Sequence, residues 1–587
     1  MSVLTYHNDL ARTGQNLSES ELTPASVSSG QFDRLFSYPV DGQVYAQPLY
    51  LPGVLVPGKG IHNIVFIVTE HDSVYAFDAD NSLAAPLWHA SFLNAAQGIT
   101  SASAAELTCD MITPEVGITA TPVIDASTGT IYIVAMTQEG PNRQFVHRLH
   151  ALDVRTGAER PGSPVEIQAS VAGAGNGNTT VVFEPRLYKE RAGLLLVNGT
   201  LYTAWSSHCD AGNYHGWVLG YDARTLQQTA VFSATPNWDA GAFWQGGAAP
   251  AADSSGNIFI VSANGTFDAN RGGLDFGDSV LKLSSGANFA LADYFTPYNA
   301  AELSQKDLDL GSSGALLLPG AAGSAAHPHL LVAGSKTGVV YLLDRDNLGR
   351  FQQDGDTQVV QRLEGAVGPL FGIPAYFNHT LYFSATHDQL KALSIRDGVL
   401  ASAPVSASVV TFPVFGTVPS ISALGAAQGI VWTIDAATQL HAFDATDLER
   451  ELYRGSTGSF IKFSTPTIAN GKVYAGTSDS LVVFGLRDVT PASIHSVVSH
   501  AGSISLQGSN LAPGAEAASS EPWPRLLGGV SVFINGVAAP VGFVSPTEID
   551  AQIPDGTRGG PATLNIITGN RVLPPIELTL KKGPRLK

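Results

Sequence analysis

Only two cysteines, Cys109 and Cys209, occur in the 587 residues, which excludes a disulfide-rich scaffold and any zinc site built from four cysteines. Charge is scarce as well, at 14% of residues, and unbalanced, with 32 Lys and Arg against 50 Asp and Glu. A formal net charge of −18 lacks the basic face that displaces counterions from a phosphate backbone, so nucleic acid is excluded as the partner class. The basic extreme C-terminus (Lys581, Lys582, Arg585, Lys587) reads as a solubilising tail. No apolar run approaches the roughly 18 residues that span a bilayer, and no leader opens the chain. Dinucleotide-binding and phosphate-binding glycine loops, a Gly-x-Ser-x-Gly elbow and a His-Glu-x-x-His helix are all missing from any supporting context.

What is abundant is turn formers, 61 Gly and 34 Pro, among alternating Val, Thr, Tyr and Phe. That mixture predicts an all-β chain of many short strands. A unit recurs: a turn, an alternating strand, then often Asp and another turn. It reads SVYAFDAD, RLHALDVRTG, WVLGYDART, SVLKLSSG, GVVYLLDRDN, QLKALSIRDG, QLHAFDATD and SLVVFGL. Each copy follows another apolar strand, with weaker strands on either side, and four antiparallel strands make a propeller blade. The reading is an eight-bladed β-propeller, with seven blades if one weak unit fails. The eighth unit has no outer strand after it, whereas FDRLFSYPV (Phe32 to Val40) is an unpaired strand before the first blade. Pairing the two closes the ring and removes both free edges. Residues 1–30 are then an N-terminal arm, 31–487 the propeller and 488–587 a second domain. Extra length collects in loops from Asn94 to Val116, Ala172 to Arg191, Asn264 to Asp278 and Tyr298 to Ser312, which build up one face of blades one to five.

The lead-in TYHNDLARTGQ followed by GQVYAQP resembles the start of pyrroloquinoline quinone (PQQ) dependent dehydrogenases. The matching positions are Tyr6, Asp9, Arg12, Thr13, Gly42, Gln43, Val44, Ala46 and Pro48. Their blade signature, Ala-x-Asp-x-x-Thr-Gly, is matched by Ala151, Asp153, Thr156 and Gly157, and Trp88 follows the copy at Ala76 and Asp78. The resemblance covers about residues 1 to 487. It implies the propeller fold, and an oxidoreductase acting on alcohols or sugars with PQQ and calcium. The adjacent cysteine pair on which PQQ stacks in many of those enzymes is absent. The stretch Gly529 to Asn570, with Asn535, Gly536, Ala539, Pro540, Ser545, Pro546, Thr547 and Ile549, resembles an Ig-like C-terminal domain of secreted bacterial proteins. It implies a β-sandwich, a secreted, periplasmic or cell-surface location, and a role in surface or matrix attachment.

Candidate chemistry falls into three groups. His71, His208 and His387 top second strands around the channel mouth and are candidate bases or metal ligands, as Glu115 is a candidate acid or base before the second inner strand. Lys336, also at the mouth, joins Lys462 and Trp244, which precede the eighth and fourth inner strands, as candidate holders of a planar anionic cofactor. The loop SSHCDAGNYHGW supplies His208, Cys209 and His215 as soft metal ligands, and Asp268 and Asp275 in FDANRGGLDFGD suggest calcium. Cys109 and Cys209 are alternatively a disulfide between neighbouring loops. Two further readings stand beside the dehydrogenase: a metal-assisted polysaccharide lyase or hydrolase, and a non-catalytic scaffold that binds a glycan or a protein.

Overall fold

The computed structural model describes residues 1–581 except 83–84, 176, 178, 488–491, 513 and 569–570. The expected domain boundary at 487/488 and most of the basic tail therefore lie outside the described residues.

Eight sheets of four to six strands, each built on a four-stranded antiparallel core, follow one another along the chain. The first runs through Leu49–Val56, Gly60–Val68, Ser73–Asp78 and Trp88–Ser91. The innermost strands of the next six are Val123–Asp125, Leu195–Val197, Ala251–Ala252, Ala315–Leu317, Ala375–Phe377 and Ser420–Leu424. The eighth sheet joins Thr467–Ala469, Lys472–Gly476 and Ser480–Leu486 to the N-terminal strand Phe32–Pro39. That strand pairs antiparallel from Phe32 opposite Leu486 to Pro39 opposite Ser480, the closure anticipated above. Alternation supplies the glue: Tyr38, Val65, Phe77, Ile131, Ile133, Tyr474 and Val483, from the eighth, first and second sheets, share one buried cluster. The signature aspartates serve the turns after their strands. Asp153 accepts the Arg155 N–H, Asp222 those of Arg224 and Thr225, and Asp444 that of Thr446.

The N-terminal arm closes one end of the channel. It pairs Val3 with Tyr50 of the first sheet, and the Leu4 carbonyl accepts Ile124 N–H of the second. The carbonyls of Leu10, Ala11 and Thr13 accept from Ala252, Leu317 and Tyr376, in the fourth, fifth and sixth sheets. Gln15–Asn16 pairs parallel with Ile421 and Ser422 of the seventh, and Asn16 Nδ2 donates to Ile468 O of the eighth. Arg12, fully buried, pins the arm: Nε and Nη2 donate to Pro250 O, and Nη1 to Thr5 Oγ1, Tyr6 O and Asp9 O.

Residues 493–580 form two further five-stranded sheets, whose Leu506 and Ile549 on one and Val532, Leu564 and Ile566 on the other share a core. Asn535-Gly536 is a two-residue hairpin turn with φ of 51° and 79°, the left-handed pair that such a turn requires. Among the described residues, no helix is long and apolar enough to cross a membrane.

Candidate functional site

A cavity of about 660 Å³ lies where the long loops converge. Its wall comes from each expected loop in turn: Met111 and Ile112, then Lys189 and Arg191, then Asn264, then Asp307 to Asp309 and Ser312. Trp244, Lys336 and Lys462, singled out from sequence, also line it, as does Cys209.

Its cations divide into two kinds. Lys336 is neutralised, with Nζ 2.8 Å from Asp307 Oδ1 and 2.5 Å from Asp309 Oδ2. Lys189, Arg191 and Lys462 have no carboxylate within 4 Å among the described residues; Lys462 Nζ instead lies 3.3 Å from the Met111 sulfur. Lys189 is 5% exposed and Arg191 6%, and Arg191 Nη2 has no hydrogen-bond partner. Aromatic faces stand in for anions. The Lys189 ammonium is 5.3 Å from the Trp244 ring centre, Arg191 5.3 Å from Phe463 and 5.6 Å from Tyr45, and Lys462 5.7 Å from Phe415. Such faces compensate desolvation only in part. Burial, then the charges of Arg191 and Lys462, lower Lys189 to about 7, while burial and Arg191 lower Lys462 to about 8.

The local sequence explains the arrangement. Lys189 sits in the two-residue strand Tyr188–Lys189, paired with Ser206 and Ser207, just before the third inner strand. Trp244 opens the turn Trp-Gln-Gly-Gly before the fourth, and both glycines there are obligatory. A Cβ on Gly246 (φ 59°) would fall 1.9 Å from Phe371 O, and one on Gly247 (φ 93°) 2.6 Å from Arg191 Nη1. The inner end of the site meets the arm: the Tyr6 hydroxyl is buried and the Arg191 charge reaches it.

The remaining candidates lie elsewhere. Glu115 does not pair with Lys462; its Oε1 is 2.7 Å from His71 Nδ1, and neither residue lines the cavity. His387 is an exposed turn residue beside the lining Thr386. His208 is 2% exposed, and burial with the charge of Lys189 lowers it to about 2, so it is a neutral buried ring. The metal reading is corrected. Cys209 is bonded to Cys109, which removes its thiolate, and His215 Nδ1 is 2.9 Å from Thr235 O. Asp268 accepts the Asp275 N–H as a turn residue, and burial raises Asp275 to about 6. Among the described residues, no group of three or more His, Cys, Asp or Glu could hold a metal ion. The donor set thus suits the carboxylates of PQQ, and does not suit the calcium of the resemblance.

Sequence reasoning missed Lys189 and Arg191, although their loop was marked. The available signal was position, because they precede an inner strand as Lys462 and Trp244 do. Glu70, next to His71 in sequence, was not among the candidates. Its carboxyl is 1% exposed, accepts Gly117 N–H and Thr119 Oγ1–H, and is raised to about 7, chiefly by burial.

No known family profile matches the chain, and no curated protein does. Solved structures do. A europium-containing methanol dehydrogenase superposes with a TM-score of 0.54 at 12% identity, covering 83% of this chain and 98% of that one. The quinohemoprotein alcohol dehydrogenase from Comamonas testosteroni gives 0.53 at 14% identity, covering 85% and 83%. BamB from Moraxella catarrhalis gives 0.46 at 14%, covering 78% and 99%. At these identities the likeness concerns architecture, and the chain has the fold of a quinoprotein-like β-propeller.

Proposed function

We propose that the protein binds a compact, carboxylate-rich small molecule in the channel cavity. The observation that carries this reading is the trio Lys189, Arg191 and Lys462, three cations around one cavity with no carboxylate within 4 Å among the described residues, next to the face of Trp244. Unpaired buried cations are costly, and a ligand that supplies the missing charges recovers that cost. PQQ, a planar tricarboxylate, belongs to this class. Arg191 and Lys462 would take its carboxylates and Trp244 its ring face. A bound quinone would supply two-electron oxidation, so alcohol or sugar oxidation is the candidate reaction; alcohols are the substrates in the names of the two similar dehydrogenases.

The test is titration with PQQ and with trimesate, a planar tricarboxylate that carries no quinone, followed by tryptophan fluorescence and calorimetry. Both should bind. Arg191→Met should weaken each by about 10- to 100-fold, the worth of one charge-assisted contact in a partly closed site. Equal affinity in Arg191→Met, or no binding of either ligand, overturns the reading. Dye-linked alcohol oxidation after PQQ loading then tests the redox assignment separately.

A further inference from the structure

We infer that Lys189 is a reactive amine that condenses with the carbonyl group of a carboxylate-bearing aldehyde or ketone held in the cavity. The inference rests on the reading of the cavity as a carboxylate site and names a substrate class for it.

Three observations carry it. The first is contrast among interior lysines. Lys336, Lys391 and Lys472 each sit on a carboxylate, at 2.8, 2.7 and 2.8 Å. Lys189 has no such partner among the described residues and is 5% exposed. The second is company. Arg191 and Lys462 share its cavity wall and act on it more strongly than the opposing charges of Glu70 and the lining Asp210, and net like charge beside a desolvated amine favours the neutral, nucleophilic form. Those same two cations are placed to hold a carboxylate beside it. The third is fixity. The Lys189 backbone is clamped in a strand pair, with its carbonyl accepting Ser206 Oγ–H at 3.0 Å, and the Trp244 face lies 5.3 Å from Nζ. A nucleophile held by a strand against a ring wall approaches a bound carbonyl along one path.

The step balances without an oxidant or a metal. The Nζ lone pair forms a bond to the carbonyl carbon, the carbonyl π pair moves to oxygen, and one amine proton transfers to that oxygen. The resulting carbinolamine expels its hydroxyl with the second amine proton as water, leaving an imine.

The experiment uses the full chain, glyoxylate as the probe and sodium cyanoborohydride to reduce any imine, with peptide mass spectrometry to locate the adduct. Glyoxylate binding is measured in parallel by its competition with trimesate. Lys189 should be labelled at least about tenfold faster than the exposed Lys306 at pH about 7.5, because an ordinary lysine is almost wholly protonated there. Trimesate should protect Lys189 and leave Lys306 unaffected. Lys189→Arg, which keeps a cation and cannot form an imine, should lose the fast adduct while the labelling of Lys306 stays unchanged. Glyoxylate that competes with trimesate yet labels Lys189 no faster than Lys306 refutes the inference and leaves the carboxylate site standing. Failure of both anions to bind removes the site and the inference together. Fast labelling of Lys189 that trimesate does not slow refutes the carboxylate-bearing substrate class.

Discussion

Carboxylate binding to the cavity should take up protons, because two of the receiving amines are partly neutral before the ligand arrives. Lys189 stands at about 7 and Lys462 at about 8, against 10.5 for an ordinary lysine, with burial the largest cause for both. An anion favours the ammonium form and raises both values. Affinity should therefore be greatest below pH 7 and fall as pH rises through 7 and then 8. If the ligand returns Lys189 to about 9, its contribution alone lowers affinity about fiftyfold between pH 6 and 9, or roughly 2.3 kcal/mol of the 2.7 that a shift of two pK units represents. Lys462 steepens the upper part of that range. The assay is calorimetric titration with trimesate, whose carboxyls are ionised above pH about 6, in two buffers of different ionisation enthalpy. At pH about 7.5 the heats should differ by the equivalent of about one proton taken up per ligand. An affinity that is flat from pH 6 to 9, with identical heats in both buffers, would refute the assignment of these lysines to the anion. Lys189→Met should abolish the lower part of the pH dependence and leave the upper part, due to Lys462.

Three perturbations test the frame around the site. Arg12→Met removes five hydrogen bonds from a fully buried guanidinium and strands their acceptors, so urea unfolding should show a loss of about 3–5 kcal/mol and proteases should cut the arm; a loss under about 1 kcal/mol would mean that the arm is not pinned there. The Cys109–Cys209 bond closes a loop over a sequence separation of 100, and replacing both by Ser should lower stability by about 3–5 kcal/mol, read as the difference between melts with and without reductant in the parent protein. His441, 1% exposed, lies 3.2 Å from Asp435 and 2.7 Å from Glu451; burial alone would lower it, but the carboxylates more than reverse this and raise it above 6.5. Its contribution is full below pH 6.5 and lost as pH rises through the raised value, whereas those of Asp435 and Glu451, both held low, are lost as pH falls below the ordinary carboxylate range. The urea midpoint should therefore gain a shoulder at about pH 5–6.5 that His441→Asn removes.

The blade strands were legible because alternation and Asp-bearing turns are local signals, and a strand such as Ser73–Asp78 carries both in six residues. The closing strand was legible by subtraction, since one unit lacked an outer strand and one strand lacked a partner. Trp244 and Lys462 were found because they precede inner strands. Their cavity neighbours Lys189 and Arg191 were passed over because a Lys-Glu-Arg run in a loop ordinarily faces water. The metal reading failed for a related reason. His208, Cys209 and His215 are close in sequence, but the strand geometry buries one ring, ties the sulfur to another loop and turns the second ring to a backbone carbonyl.

The sequence by itself determined the propeller repeat and the ring closure at Phe32–Pro39, because hydrophobic period and turn chemistry act over a few residues. Only the tertiary structure decided which charges are left without partners. Lys336 and Lys189 are both loop-proximal lysines of the same face, yet one meets Asp307 and Asp309 and the other meets Trp244, Arg191 and Lys462. Proximity across a hundred or more residues sets the dielectric and the counter-charge at each amine, and those two quantities govern its protonation and its chemistry.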